Sequence, residues 1–206
     1  MSKTSNVWMQ QHVRDPYVKQ AQIDGYRSRA AFKLLELVEK DQLISAGNIV
    51  VDLGASPGSW SQVIAKKVGT RGIVVAVDVL EMESIPGVTF ICGDFREEYV
   101  LANVEAALQG RQVDLVVSDM SPNLSGVASA DQARSMHLCE LAQEFACKHL
   151  KESGNFLVKT FQGAGFPDFQ NAMRNSFMSV ASRKPRASRG RSSEMYLLGR
   201  GLKGVK

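Results

Sequence analysis

The chain has 206 residues, 44% hydrophobic and 22% charged, enough to bury a core without disulfides or a structural metal. Its formal charge of +4 hides an asymmetry: residues 1–35 carry six basic and two acidic side chains, residues 36–182 carry 11 and 18, and residues 183–206 carry eight and one. An acidic body between cationic ends points to a polyanionic partner, nucleic acid before an anionic membrane surface, and no apolar run approaches the roughly 18 residues of a membrane span.

In chain order, Ser28–Lys40 reads as an amphipathic helix with Ala31, Leu34, Leu35 and Val38 on one face. Short apolar, β-branched runs follow at Ile49–Asp52, Ile73–Asp78, Val88–Asp94, Val113–Asp119 and Asn155–Lys159. Helical patterns occupy Trp60–Val68, Glu97–Leu108, Ala130–Leu150 and Asp168–Phe177. This alternation predicts an α/β fold with a mostly parallel sheet and helices on both faces. Val180–Lys184 and Met195–Gly199 suggest a closing antiparallel hairpin, which brings the strands to seven. One domain over 1–206 is expected: a basic segment 1–35, an α/β body 36–182 and a basic segment 183–206 that completes the sheet. Met1–Gln20 is polar, with no charged-then-apolar leader pattern. Cys92, Cys139 and Cys147 lack CxxC spacing, and His12, His137 and His149 lack metal-ligand spacing, so the expectation is a cytoplasmic protein with reduced thiols and no metal.

Ligands of open α/β sheets bind at the carboxyl ends of the strands, where Asp52, Asp78, Asp94, Asp119 and Lys159 fall. Each alone could be a helix cap; together on one rim they read as a site. The loop Asp52-Leu53-Gly54-Ala55-Ser56-Pro57-Gly58-Ser59-Trp60 leads from the first strand to the next helix. A dinucleotide fingerprint wants glycines at 54, 56 and 59, and the last two positions hold Ser56 and Ser59. A serine-hydrolase elbow matches Gly54-Ala55-Ser56-Pro57-Gly58, but its oxyanion hole needs an N–H from the residue after the serine, and Pro57 has none. S-adenosylmethionine has no phosphate and tolerates fewer glycines. An acid can meet its ammonium, the helix amino terminus its carboxylate, Asp78 its ribose diol and Asp94 its adenine amine. A purely structural turn with capping acids stays open as an alternative.

The glycine loop, with Arg27-Ser28-Arg29-Ala30-Ala31-Phe32-Lys33-Leu34 before it, resembles the FtsJ-like ribose 2′-O-methyltransferases. Ser118-Asp119-Met120-Ser121-Pro122-Asn123-Leu124-Ser125-Gly126, Val158-Lys159-Thr160-Phe161-Gln162-Gly163 and Ser188-Arg189-Gly190-Arg191-Ser192-Ser193-Glu194-Met195-Tyr196 extend the likeness in order over nearly the whole chain. The resemblance implies a Rossmann-like S-adenosylmethionine-dependent methyltransferase fold. It implies a catalytic tetrad at Lys33, Asp119, Lys159 and Glu194, and cofactor contacts at Gly58, Trp60, Asp78, Asp94 and Asp119. Within the family, the length is similar to that of the branch acting on large-subunit (23S) ribosomal RNA, whose target is a uridine of the A-loop in the 50S subunit. Ser56 and Ser59 depart from the alanine and glycine common in the family.

On this resemblance the reaction is methyl transfer to a ribose hydroxyl, a weak nucleophile until a base takes its proton. Lys159 is the expected proton acceptor, with Lys33 and the cofactor's sulfonium favouring its neutral form and Asp119 and Glu194 orienting both lysines. Taken singly, Lys33 could be solvated, Lys159 could snorkel from a strand end, Glu194 could neutralise Arg191, and Trp60 could be core. Arg14, Lys19, Arg27, Arg29, Arg186, Arg189 and Arg191 are the expected RNA phosphate contacts. Trp8, Tyr17 and Tyr26 are candidate stacking residues, few enough that RNA shape should outweigh base reading. The expected partner is ribosomal RNA within the large subunit, with no obligate protein partner. The rival functions are a non-catalytic RNA-binding or ribosome-assembly factor and a base N-methyltransferase. The latter often carries an Asn/Asp-Pro-Pro-aromatic motif where this chain has Asp119-Met120-Ser121-Pro122.

Overall fold

Strands whose every residue is buried need cover on both faces, and β1 (Ile49–Leu53) is such a strand. Side chains alternate across it: Val51 and Leu53 join one apolar cluster, Val50 the other. The computed structural model describes residues 15–189 and 192–204. Among these, seven strands form one sheet, adding β2 (Ile73–Asp78), β3 (Thr89–Cys92), β4 (Val113–Ser118), β5 (Leu150–Phe161), β6 (Phe177–Arg183) and β7 (Glu194–Leu202). The spatial order is β3-β2-β1-β4-β5-β7-β6, parallel throughout except that β7 runs antiparallel between β5 and β6.

The helices are α1 (Pro16–Ile23), α2 (Ala30–Asp41), α3 (Ser59–Val68), α4 (Glu98–Leu108), α5 (Ala128–His149) and α6 (Phe166–Ser176). Leu34, Leu37 and Val38 of α2 and Trp60, Val63 and Ile64 of α3 cover one face of the sheet. Val100 and Val104 of α4, Phe145 of α5 and Phe169 and Met173 of α6 cover the other. The expected hairpin forms, but its second strand is inserted inside the first, so β7 pairs with both β5 and β6. A buried carboxylate secures that insertion. Asp41, ending α2, accepts two hydrogen bonds from Arg183 at 2.7 and 2.8 Å and a third from Arg200 at 3.3 Å.

Two features differ from the sequence expectation. Helix α1 was not anticipated: Asp15 caps it by accepting from the Tyr17 amide at 3.0 Å, with Pro16 in its first turn. Strand β5 begins five residues earlier than expected, directly at the end of α5, with a register break against β4 between Val113 and Leu115. No described helix is long and apolar enough to cross a membrane.

Candidate active site

The strand order reverses direction between β1 and β4, and at such a switch point the loops leave on opposite sides and open a crevice. Four carboxylates stand about it. Asp52 is the penultimate residue of β1, Asp78 ends β2, Asp94 follows β3 and Asp119 follows β4.

Two ion pairs lie beside this crevice. The Lys33 ammonium from α2 meets both carboxylate oxygens of Glu194, at 2.7 and 2.8 Å, and Ser188 Oγ donates to the same carboxylate at 2.8 Å. The Lys159 ammonium, on a side chain only 7% exposed, bonds Asp119 at its main-chain oxygen (2.5 Å) and its Oδ1 (3.1 Å). Sheet register builds this arrangement. Lys159 stands opposite Tyr196 and Phe161 opposite Glu194 across the β5–β7 ladder, so all four side chains share a face.

Tyr196 joins the pairs and was not singled out from the sequence. Its hydroxyl donates to Asp119 Oδ1 at 2.8 Å, and its ring lies 5.9 Å from Lys33 Nζ and 5.7 Å from the Trp60 ring. Burial, then the charges of Asp119 and Glu194, push its phenol well above the ordinary range, so it stays a donor. Behind Lys159, Cys139 Sγ donates to the Lys159 carbonyl at 3.2 Å, and burial pushes that thiol up to about 12.

The glycine loop passes close to the same residues. Gly54 has φ of +76°, and a Cβ there would lie 2.4 Å from Met120 Cγ, so the loop can cross Asp119-Met120 only with glycine at this position. Asp78 receives the Ser56 and Leu80 amides at 2.8 Å each. Arg96 grips Asp94 through its Nε and Nη2 and, by these hydrogen bonds first, holds that carboxyl below the usual range. Asp52 is fully buried. Its Oδ2 accepts from Ser61 Oγ at 2.6 Å, while Oδ1 has no hydrogen-bond partner among the described residues. Desolvation, with Asp119 and Asp78 adding repulsion, raises it to about 7. These acids suit an adenosine carrying a cationic amino-acid tail: three partly accessible carboxylates, Asp78, Asp94 and Asp119, stand at the strand ends on the same rim as the glycine loop.

The remaining expected site residues divide. Gly58 lies at the start of α3, with φ of +105°. Trp60 is 3% exposed, and its indole donates to the Ala30 carbonyl at 2.9 Å and packs on Tyr196, so its ring belongs to the core. Arg29 donates to Asp15 and to the Ala187 carbonyl, and Arg27 to three carbonyls, so both bind protein groups where phosphates were expected. Lys19, Arg186 and Arg189 are exposed. A cleft of about 280 Å³ lined by Ser28, Arg29, Lys33, Arg189, Ser192 and Glu194 leads to the Lys33–Glu194 pair. Arg14 and Arg191, like Trp8, lie outside the described residues. Tyr17 and Tyr26 pack on Phe32, at ring distances of 5.6 and 5.9 Å.

Known proteins resemble this chain over most of its length. The family described as FtsJ-like methyltransferase matches residues 26–202. A protein of Chromobacterium violaceum named ribosomal RNA large subunit methyltransferase E is 60% identical, over 97% of this chain and 98% of its own length. A protein of Neisseria meningitidis with the same name is also 60% identical, over 97% of each. Among solved structures, a ribosomal RNA methyltransferase of Plasmodium falciparum superposes with a TM-score of 0.79 at 28% identity, covering 87% of this chain and all of that one.

Proposed function

The chain belongs to the FtsJ-like methyltransferase family, and from that premise we propose that it methylates a ribose 2′-hydroxyl of large-subunit ribosomal RNA, using S-adenosylmethionine. The observation that carries the proposal is the double ion pair, Lys159–Asp119 and Lys33–Glu194, joined through Tyr196 beside the acidic crevice. The expected target is a uridine of the A-loop in the 50S subunit. The chain acts as one domain, in the cytoplasm, without an obligate protein partner.

Bound S-adenosylmethionine supplies a methyl group made electrophilic by its sulfonium. Asp78 would receive the ribose diol and Asp94 the adenine amine, while Asp119, Gly58 and the main chain at Trp60 would hold the amino-acid end. Lys159 accepts the 2′-hydroxyl proton at Nζ after the ammonium paired with Asp119 has first released a proton to solvent, a release that the positive charge of a bound sulfonium would favour. Asp119 keeps that nitrogen aimed, and Tyr196 keeps Asp119 from turning away. Lys33, matched by Glu194, orients the ribose from the opposite side. The wall of buried side chains around Lys159 excludes water that would compete for its lone pair. Lys19, Arg186 and Arg189, with Arg14 and Arg191, contact RNA phosphates.

The test is transfer of tritiated methyl from S-adenosylmethionine to purified large ribosomal subunits and to free 23S RNA, followed by alkaline hydrolysis. The expected product is a labelled dinucleotide that resists cleavage, because a 2′-O-methyl removes the attacking hydroxyl. Label on a cleavable nucleotide would indicate base methylation, and no label on either substrate would indicate a non-catalytic RNA-binding protein.

A further inference from the structure

Two loops flank the rim next to Asp78: the glycine loop, 54–58, and the connection between β2 and β3, residues 79–88. Asp78 ties them together from within, since its Oδ2 accepts from Ser56 N and its Oδ1 from Leu80 N. Arg27 ties the same two loops from outside. Its Nη1 donates to the carbonyls of Pro57 and Glu83 at 2.8 Å each, and its Nη2 to that of Ser84 at 3.0 Å. The Glu83 carboxylate stands 3.9 Å away and is 96% exposed, so ion pairing adds little to this grip.

Arg27 is itself fastened. Its amide donates to Gln62 Oε1 at 2.9 Å, and Gln62 Nε2 donates to the Gly25 carbonyl at 3.0 Å. Ser28 Oγ and Ser59 Oγ are 2.7 Å apart, and Trp60 Nε1 bonds the Ala30 carbonyl. Residues 25–30 therefore form a strap laced to the first turn of α3. Gly58 fits this clasp: a Cβ would stand 2.6 Å from Ile85 Cδ1, 2.8 Å from Arg27 Nη1 and 3.1 Å from Met82 Sδ. Those side-chain ends could shift, but the φ of +105° favours glycine at this position whatever occupies the site.

We propose that Arg27 is a positioning residue of the cofactor site, holding the glycine loop and the β2–β3 loop at the separation that lets Asp78 present its carboxylate. The inference rests on reading the rim as an S-adenosylmethionine site. A planar guanidinium can reach three carbonyls at once; an ammonium on a thinner stem cannot keep all three.

The test compares Arg27→Met and Arg27→Lys with the wild type. Dissociation constants for S-adenosylmethionine and S-adenosylhomocysteine are measured by calorimetry without RNA, alongside RNA affinity as a function of salt and steady-state kinetics. Arg27→Met should weaken both nucleosides roughly 10- to 100-fold, the loss expected of one or two net charge-assisted hydrogen bonds. KM for the cofactor should rise in step, with kcat within about threefold and RNA affinity within about twofold; Arg27→Lys should recover part of the loss. Unchanged nucleoside affinity in Arg27→Met overturns the proposal, and a salt slope reduced by about one would reassign the residue to a phosphate contact. Should Arg27→Met fail to fold, Gln62→Ala loosens the strap while sparing the guanidinium; it should weaken nucleoside binding, and an unchanged constant there overturns the proposal equally. A wild-type protein that binds neither nucleoside overturns the cofactor reading and the proposal with it, whereas equal binding by wild type and Arg27→Met overturns the proposal alone.

Discussion

Replacing Asp52 with Asn asks whether the acid beneath the glycine loop is carried protonated. The side chain is fully buried, one oxygen accepts from Ser61, and the other has no partner among the described residues. Desolvation is the largest cause that raises it from 3.8 to about 7, with Asp119 and Asp78 contributing. A folded-state value above the unfolded one means that the native protein binds the extra proton between about pH 4 and 7. Stability is therefore highest below that window, falls as pH rises through it, and levels off above it. A shift of about three units corresponds to about 4 kcal/mol at most, at 1.36 kcal/mol per unit.

Asparagine carries no charge at any pH, so the variant lacks this slope. Its amide places an N–H where Oδ1 has no partner, a roughly constant cost of about 1–3 kcal/mol. The measurement is urea unfolding of both proteins between pH 5 and 9. Other titrating groups act in both and cancel in the difference. Only about two units of that shift lie above pH 5, so the difference should move toward the variant by about 2.7 kcal/mol between pH 5 and 9, whatever its starting offset. A difference constant to within about 0.5 kcal/mol would refute a buried, protonated Asp52.

Lys159→Ala should lower methyl transfer by about 10³-fold or more, within the usual contribution of a positioned base, while calorimetry shows cofactor affinity little changed. Transfer within tenfold of wild type would remove Lys159 from the proton-accepting role. Asp41→Ala leaves Arg183 and Arg200 without their shared carboxylate, and should cost about 3 kcal/mol in urea unfolding while methyl transfer at 25 °C persists.

The strands were legible because a sheet covered on both faces imposes apolar runs, as in Ile49-Val50-Val51 and Val113–Val117. Helix α1 was not, because it buries a single residue, Ala21, and relies on the Asp15–Pro16 start for its identity. The start of β5 was hidden because Lys151, Glu152, Ser153, at φ of +70°, and Gly154 carry no apolar pattern, yet they belong to the strand's irregular register. At the site, Lys33, Asp119, Lys159 and Glu194 came from motif resemblance, yet which lysine meets which acid depended on antiparallel register between β5 and β7. Tyr196 had a usable signal, since a residue two after Glu194 in a strand shares its face. Arg27 had none. Its acceptors lie 30 to 57 residues away in sequence, and a cluster of basic residues does not reveal which guanidinium faces protein carbonyls.

That distinction changes what the cationic ends predict. Arg27, Arg29, Lys33, Arg183 and Arg200 all donate to protein acceptors: Arg27, Arg183 and Arg200 bind the acidic body, while Arg29 and Lys33 tie the two basic ends to each other. A phosphate approaching any of these would have to displace an existing partner and would release less counterion per contact. The exposed Lys19, Arg186 and Arg189, with Arg14 and Arg191 by sequence, remain as phosphate contacts. Three to five contacts give a log–log salt slope of roughly −2 to −4 for RNA affinity, whereas engagement of every basic residue in the two ends would approach roughly −10. Filter binding across about 50–300 mM salt separates the two cases. A slope near the steeper value would mean that RNA displaces the internal ion pairs, and with them the Lys33–Glu194 arrangement proposed here to hold the ribose.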